Sequence, residues 1–396
     1  MSTEKAICPG FKAAGVAAGI KKNGKKDLGL LFSERPAVAA AVFTKNRVKA
    51  APVLLDERRI RSGRCRAIIA NSGNANCCTG EKGLQDAAAM ARHAAERLRI
   101  PEEEVLAAST GVIGAPLPIE KVEAAVPELV ESLRPDGFFQ LAEAVMTTDT
   151  VPKVVSRKGK LDGRAFTVTG VAKGAGMIRP DMATMLCFVA TDIESDAETL
   201  SSALSRSTDR SFNRITIDGD TSTNDTVIVL ANGASGARIA GEAAQTAFQS
   251  VLDEVLFELA KAVVKDGEGV TKFVEVRVTG AADEADARKV ADTVAHSNLF
   301  KTALFGEDAN WGRILAAAGR SGVPIDPALI DVSFDGVMMV ENGVGCGEAA
   351  EAGASAVLKE PEFTVAIDLH MGSSSYSIYT CDFSIDYVKI NADYRS

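Results

Sequence analysis

The stretch KGAGMIRPDMATMLCF, residues 173–188, combines side chains and backbone types that suit nucleophilic chemistry. A lysine opens it, two glycines follow, and the small pair Ala183–Thr184 stands directly before an apolar run. A threonine hydroxyl is a weak nucleophile unless a base lies close to it, and the α-amine of an N-terminal threonine is such a base. With an unperturbed pKa of about 7.7–8.0, that amine is partly neutral near pH 7 and accepts a proton.

Such an N-terminus exists only if the chain cuts itself between Ala183 and Thr184. The hydroxyl would attack the Ala183 carbonyl, the peptide would shift to an ester, and water would hydrolyse the ester. A methyl side chain leaves that carbonyl open, and Gly174 and Gly176 permit backbone angles closed to other residues. A threonine that begins a β-strand explains the same letters, so the spacing alone leaves both interpretations open.

Other catalytic motifs are poorly matched. KGAGMIRP is not a phosphate-binding loop, because its lysine precedes the glycines. The stretch DGDTSTNDTVIV departs from a calcium loop, with Thr223 at the sharp turn and Val229 where a bidentate glutamate belongs. No HExxH or GxSxG motif occurs. The histidines have no metal-ligand spacing; they are His93, His296 and His370.

The composition limits the class of protein. The 396 residues are 46% hydrophobic and 24% charged, which permits a substantial core. A formal charge of −9 argues against nucleic acid or an anionic membrane as partner. No apolar run approaches the roughly 18 residues of a membrane span, and the N-terminus lacks a secretory signal. Seven cysteines without a CxxC pair indicate free thiols and a cytoplasmic location.

Helical and strand patterns alternate without a strict βαβ order, which favours an α+β body of sheets covered by helices. In FTVAIDLH, alternate apolar residues indicate a sheet packed on one side only. Glycine-bearing polar joints between the elements are where function is expected. The predicted helices are 84–100, 119–133 and 242–265. The predicted strands are 37–43, 65–71, 166–172, 185–192, 226–232, 272–280 and 363–370. The polar joints are 71–80, 109–118, 218–226 and 306–313.

The segment 173–188 resembles the self-cleavage segment of the ornithine acetyltransferases, also called bifunctional glutamate N-acetyltransferases. Other stretches resemble signatures of that family in the same order, so the resemblance covers essentially the whole chain. It favours Thr184 as a nucleophile over a simple strand start. The further stretches are GFKAAGVAAGIK (10–21), NSGNAN (71–76), STGVIG (109–114), MTTDT (146–150), RITIDGDTSTNDT (214–226), DGEGVTKF (266–273), GEDANWGR (306–313) and INADYRS (390–396).

The resemblance implies an N-terminal-nucleophile-like fold of stacked helical and sheet layers. It implies an α chain of residues 1–183 and a β chain of residues 184–396, assembled as an α2β2 heterotetramer. Such enzymes move an acetyl group from N2-acetyl-L-ornithine to L-glutamate through an acetyl-threonine ester, here on Thr184. Many also use acetyl-CoA as donor. No metal or tightly bound cofactor is implied.

The resemblance also assigns residues. Thr110 and Gly111 would form the oxyanion hole. Lys173 would pair with the substrate α-carboxylate, and Glu268 would accept a cationic amine such as that of ornithine. The implied substrate contacts are Thr147, Lys173, Thr184, Glu268, Asn391 and Ser396.

Two other functions stay open from the sequence. An aminopeptidase or amidase of related architecture would use the same nucleophile and give the acyl group to water. A small-molecule binding protein that has lost catalysis would bind ornithine derivatives without exchange. Intact Thr184, Thr110 and Gly111 count against the second.

Overall fold

The computed structural model describes residues 6–179 and 185–392. The chain forms two compact units, of which the first comprises Met1–Asn213 and Asp220–Val263 and the second Arg214–Gly219 and Val264–Ser396. The predicted cleavage residues Ala183 and Thr184, and the predicted contact Ser396, lie outside the described residues.

The first unit contains two mixed sheets. One consists of β1 (Phe11–Val16), β2 (Leu28–Ser33), β4 (Ala67–Asn74) and β5 (Val105–Val112) in the order β1-β2-β4-β5. The other consists of β3 (Val38–Phe43), β6 (Lys153–Leu161), β7 (Arg164–Lys173), β8 (Leu186–Thr191) and β9 (Thr226–Ala231) in the order β3-β9-β8-β7-β6. In each sheet one pair of strands is parallel, β4–β5 and β8–β9 respectively.

The two sheets pack face to face. Leu31 and Ile68 of the first sheet lie in one buried cluster with Phe188 of the second. Their chain neighbours Leu30 and Ile69 point to the opposite face, into a cluster with residues of two long helices. This alternation follows from the two-residue period of a strand and gives the first sheet an apolar layer on both sides.

The helices of this unit are α1 (Ala51–Arg59), α2 (Gly80–Leu98), α3 (Ile119–Glu131), α4 (Phe138–Val145), α5 (Ala197–Arg210) and α6 (Gly241–Lys265). Helix α4 contributes Phe138, Leu141 and Val145 to the buried cluster between the two sheets. Helices α2 and α3 supply the cluster on the outer face of the first sheet. Against the second sheet, Phe248 of α6 lies with its ring centre 6.0 Å from that of Phe166 on β7. The predicted α+β layered sandwich is confirmed.

The second unit holds one sheet of β10 (Phe273–Ala281), β11 (Asp331–Phe334), β12 (Val337–Glu341), β13 (Val344–Gly345), β14 (Glu362–Asp368) and β15 (Ser374–Cys381), ordered β13-β12-β11-β14-β10-β15. Its helices are α7 (Glu284–Ala295), α8 (Asn298–Phe305), α9 (Trp311–Gly319), α10 (Glu348–Val357) and α11 (Ile385–Ala392). On β14, Phe363, Val365 and Ile367 are buried and alternate with partly exposed neighbours, as predicted.

The polar stretches at 71–80 and 109–118 differ from the prediction. They begin inside the strands, since β4 continues to Asn74 and β5 to Val112. Polar residues are tolerated there because their side chains are satisfied: Ser72 donates to the Ala144 carbonyl at 2.5 Å, and Asn71 donates to the Asn74 carbonyl at 2.9 Å.

All seven cysteines are free thiols, as the sequence predicts. Among the described residues, no helix is long and apolar enough to cross a membrane.

Candidate active site

The predicted oxyanion-hole residues lie at the end of β5, where it runs parallel to β4. Thr110 is buried, and Gly111 pairs with Gly73 next to an irregularity in the ladder. Gly111 has φ +132°, and a Cβ built on it would lie 2.4 Å from the carbonyl carbon of Gly73. A side chain at position 111 would therefore separate the two strands, so glycine is required by the close approach of their backbones.

Asn224 ties this strand end to the loop that precedes β9. Its amide nitrogen donates to the carbonyls of Ala75 and Ser109, at 2.7 and 2.8 Å. The Ser109 hydroxyl in turn donates to the side chain of Asn71 at 2.6 Å. Because Ser109 directly precedes Thr110, this buried network fixes the backbone that carries the predicted oxyanion hole.

The described residues on either side of the predicted cleavage point are neighbours in the sheet. Strand β7 ends at Lys173, which pairs with Leu186 at the start of β8. Met185, the residue after Thr184, donates its N–H to Oδ1 of Asp225 at 2.9 Å and accepts the N–H of Thr226 at 3.0 Å. Hydrogen bonds thus hold the backbone directly after the predicted nucleophile, at the start of the buried strand β8.

Buried Asp149 pairs with Lys153 and also binds the backbone at Thr147 and directly after Lys173, two of the predicted substrate contacts. Oδ1 of Asp149 accepts Nζ of Lys153 at 2.7 Å and the N–H of Gly174 at 2.8 Å, and Oδ2 accepts the N–H of Thr147 at 3.0 Å. Both charged side chains are almost fully buried. Asp149 therefore positions Thr147 and the loop after Lys173 together.

The charges at this site are strongly coupled. Burial opposes ionisation of Asp149, yet the positive charges of Lys173 and Lys153 and the hydrogen bonds lower its pKa to about 2. Burial raises the pKa of Asp225 well above its usual range, against the opposing effects of the Met185 N–H and Lys173. The positive charges of two buried lysines thus act on one ionised carboxylate.

Glu268 and Asn391 meet in the second unit. Nδ2 of Asn391 donates to Oε2 of Glu268 at 2.8 Å and to the carbonyl of Tyr387 at 3.0 Å. Glu268 is 7% exposed. The next residue, Gly269, has φ +67°, and a Cβ on it would lie 2.5 Å from the nitrogen of Tyr387. The glycine lets this loop contact α11 closely, which brings the two predicted contacts together.

Comparison with known proteins identifies the family. The ArgJ family model matches residues 12–396. The chain belongs to the ArgJ family. It is 54% identical over 389 residues to the arginine biosynthesis bifunctional protein ArgJ of Geobacter sulfurreducens, covering 98% of this chain and 99% of the relative. The protein of the same name from Desulfotalea psychrophila is 52% identical over 389 residues, with the same two coverages.

Two solved structures are also similar to this ArgJ-family chain. The ArgJ structure from Bacillus halodurans is 40% identical, with a TM-score of 0.49, and the match covers 52% of this chain and 97% of that chain. The Mycobacterium tuberculosis ornithine acetyltransferase complexed with ornithine is 41% identical, with a TM-score of 0.40, covering 46% of this chain and 95% of that chain. The family resemblance seen in the sequence is confirmed by the family and whole-chain matches.

Sequence reasoning missed four residues of this ArgJ site. Asp149 lies inside the MTTDT stretch and Asn224 and Asp225 lie inside DTSTNDT, so the available signal is a polar side chain within a stretch that resembles the family. The sequence around Lys153 gives no such signal, because its pairing with Asp149 is visible only in the folded structure. Among the described residues, no group of three or more His, Cys, Asp or Glu is placed to hold a metal ion.

Proposed function

We propose that this ArgJ-family chain is an acetyltransferase of arginine biosynthesis. It moves the acetyl group of N2-acetyl-L-ornithine to L-glutamate and yields L-ornithine and N-acetyl-L-glutamate. The match to bifunctional ArgJ proteins over 98% of the chain carries this proposal. The word bifunctional in their names supports acetyl-CoA as a second acetyl donor. The reaction needs no resident metal or cofactor, since an enzyme ester carries the acetyl group.

Thr184 is the nucleophile in this proposal. Its hydroxyl attacks the acetyl carbonyl while its α-amine accepts the proton, and the resulting ester passes the acetyl group to glutamate. Thr110 and Gly111 donate to the developing oxyanion. Removal of one such donor typically lowers kcat by about 10²–10³. The buried network of Asn224 and Ser109 supports this role, because it holds these donors in place.

Substrate binding is divided between two kinds of charge. The α-carboxylate pairs with Lys173, whose neighbourhood carries a buried excess of positive charge. The side-chain amine of ornithine pairs with Glu268, which Asn391 orients through its hydrogen bond of 2.8 Å. Thr147 and Ser396 add polar contacts. A lysine complements the α-carboxylate of the substrate, and a carboxylate complements its cationic side-chain amine.

Self-cleavage between Ala183 and Thr184 produces the nucleophile. The α chain of residues 1–183 and the β chain of residues 184–396 then stay together in an α2β2 assembly in the cytoplasm. The antiparallel pairing of β7 with β8 supports this, since these two strands would belong to different chains after the cut.

The intact mass of the denatured protein tests the cleavage. Wild type is expected to give two fragments, residues 1–183 and 184–396, whereas Thr184→Ala stays whole. Thr293→Ala, on α7, is the matched control and should be cut like wild type, because its hydroxyl donates to its own helix, to the Lys289 carbonyl. Uncut, folded wild type would overturn the mechanism and favour a binding protein.

Acetyl exchange tests the reaction itself. Cleaved wild type incubated with acetylornithine should release about one ornithine per active site as the acetyl-enzyme forms, and should turn over repeatedly only when glutamate is present, as ping-pong kinetics require. Release of acetate at the same rate with and without glutamate would instead identify a hydrolase. Thr184→Ala should show neither reaction, and Thr293→Ala should match wild type.

A further inference from the structure

Helix α11 carries the predicted substrate contact Asn391, yet none of its residues is buried. Its apolar side chains Ile385 and Val388 are 63% and 65% exposed. An isolated helix of this length is marginal in water, because most helical stability in proteins comes from the packing of an apolar face. The position of Asn391 therefore depends on specific contacts of α11 with the rest of the second unit.

Tyr387 connects α11 to its surroundings. Its ring stacks on that of Phe383, with the ring centres 4.6 Å apart. Its backbone N–H donates to Oγ of Ser384 at 3.2 Å, and its carbonyl accepts Nδ2 of Asn391 at 3.0 Å. Its phenolic hydroxyl donates to Oδ2 of Asp218 at 3.3 Å. This last bond reaches a residue 169 positions earlier in the chain, so it holds α11 against a distant segment.

Asp218 lies on a segment that is bound on both of its sides. The N–H of Thr216 donates to the Tyr379 carbonyl on β15 at 2.9 Å, and the Thr216 hydroxyl forms a hydrogen bond of 3.0 Å with Nε2 of His296. A Cβ on Gly219 would lie 2.8 Å from Cδ2 of His296, so the imidazole packs directly on that backbone. These contacts flank Asp218 and make its carboxylate a fixed acceptor for the phenolic hydroxyl.

The backbone of Tyr387 lies against the loop that carries Glu268. A Cβ on Gly269 would lie 2.5 Å from the Tyr387 nitrogen, so the loop and the helix are in direct backbone contact. Asn391, which binds the Tyr387 carbonyl, also donates to Oε2 of Glu268 at 2.8 Å. A displacement of Tyr387 would therefore move Asn391 away from the carboxylate and loosen the loop that holds this carboxylate.

We propose that Tyr387, held by Asp218, is a positioning residue that makes the site specific for an acetyl donor with a side-chain amine. This role rests on the proposed function, in which Glu268 binds that amine. The bond between Tyr387 and Asp218 keeps α11 in place, and Asn391 on α11 keeps the Glu268 carboxylate in the orientation that receives the ammonium group. A carboxylate fixed in this way binds a cation more tightly, because it loses less conformational freedom on binding. Loss of the Tyr387 hydroxyl should therefore weaken amine recognition and leave acetyl transfer itself intact.

The experiment compares two acetyl donors, N2-acetyl-L-ornithine and N2-acetyl-L-norvaline, which has the same carbon side chain without the amine. The readout is the ratio of their kcat/KM values for acetyl transfer to glutamate. Wild type should favour acetylornithine by at least about 10-fold, as expected for a charge-assisted hydrogen bond. Tyr387→Phe keeps the ring and removes only the hydroxyl. It should lower the ratio by about 3- to 10-fold, the net effect of one hydrogen bond. Its kcat/KM for acetylnorvaline should stay at the wild-type value.

Variants of the acceptor test the same bond from its other side. Asp218→Ala should lower the ratio as much as Tyr387→Phe does, and the double variant should lower it no further, because both substitutions remove one shared interaction. Asp218→Asn keeps an oxygen that accepts the hydroxyl and should retain most of the preference. Tyr376→Phe is the matched control and should keep the wild-type ratio. The Tyr376 ring lies on β15 against the guanidinium of Arg214, and phenylalanine preserves that contact.

The outcomes separate this role from the proposed function. A wild-type ratio for Tyr387→Phe overturns the role of Tyr387, and so does an equal fall of kcat/KM for both donors. Thermal unfolding establishes that each variant is folded, and if Tyr387→Phe does not fold, Asp218→Ala and Asp218→Asn give the same comparison. If Glu268→Gln abolishes the preference while Tyr387→Phe retains it, the proposed function stands and only the role of Tyr387 is wrong. A wild type without preference for acetylornithine contradicts amine recognition by Glu268, and the role of Tyr387 with it.

Discussion

Asp149 accepts the backbone N–H of Gly174 through Oδ1 at 2.8 Å, which connects two stretches that are 25 residues apart in the chain. The same carboxylate binds the N–H of Thr147 and the ammonium of Lys153. One buried charge thus sets the position of a predicted substrate contact and of the loop that leads to the cleavage point. Its removal should affect both stability and substrate binding.

We expect Asp149→Asn to lower the free energy of unfolding by about 3–5 kcal/mol, because the buried ammonium of Lys153 loses the carboxylate with which it pairs. The measurement is urea unfolding followed by circular dichroism. The control is Glu143→Gln, which breaks an exposed pair with Lys26 and should cost no more than about 1 kcal/mol. Equal losses of unfolding free energy for the two variants would show that the buried pair contributes no more to stability than the exposed pair.

The pH dependence of stability should carry a contribution from Asp149. Its pKa is lowered to about 2 in the folded protein, from an ordinary value of 3.8. A depressed pKa stabilises the folded state above the unfolded value, so roughly 2 kcal/mol is present above about pH 4. That contribution is lost as the pH falls towards 2. Between about pH 4 and pH 2, the free energy of unfolding should therefore fall more steeply with decreasing pH for wild type than for Asp149→Asn. Parallel curves would contradict the assignment.

The sequence predicts the elements well where one periodicity dominates. The helix predicted at 242–265 is observed as Gly241–Lys265, and the strand at 226–232 as Thr226–Ala231. The predicted strand 65–71 ends three residues before the observed end of β4 at Asn74, because strand signals assume apolar side chains. Buried Asn71 and Ser72 stay in β4 through hydrogen bonds to partners that the local sequence does not reveal.

The assignment of the candidate site residues depends on family resemblance and only partly on chemistry. Glu268 and Asn391 lie 123 residues apart and meet in a single hydrogen bond, so no local pattern predicts their contact. Asp149 and Asp225 are both buried, yet the charges of Lys173 and Lys153 lower the pKa of Asp149, whereas burial raises that of Asp225. Burial depends on the packing of distant strands, and one sequence without the fold does not supply it.

Gly111→Ala should disrupt the end of β5. The new Cβ would meet the Gly73 carbonyl carbon at 2.4 Å, and φ +132° disfavours any side chain. We expect a loss of more than about 2 kcal/mol in unfolding free energy and a fall in kcat. Gly114→Ala is the matched control: it also has positive φ, but its Cβ would have open space, so about 1 kcal/mol of strain is expected. An equally stable and active Gly111→Ala would contradict the close approach.

Glu268→Gln should raise KM for acetylornithine by roughly 10-fold or more, since a charge-assisted hydrogen bond to the amine is lost. The KM for acetyl-CoA should change little, because that donor has no such amine. Steady-state kinetics with each donor give the comparison. Asp386→Asn is the control on the same helix as Asn391, as its carboxylate pairs with exposed Lys389. Equal changes in KM for both donors would argue against recognition of the amine by Glu268.

The cleaved chains should stay associated without any covalent link. Strands β7 and β8 pair antiparallel from Val168↔Thr191 to Lys173↔Leu186, and β8 is buried along its whole length. Separation would expose this strand and its apolar side chains to water, which opposes dissociation of the two chains. Cleaved wild type and uncut Thr184→Ala should therefore elute together in size-exclusion chromatography, at the volume of an α2β2 assembly. Free α chain in buffer without denaturant would contradict this prediction, while a shared elution at half that size would contradict the tetramer alone.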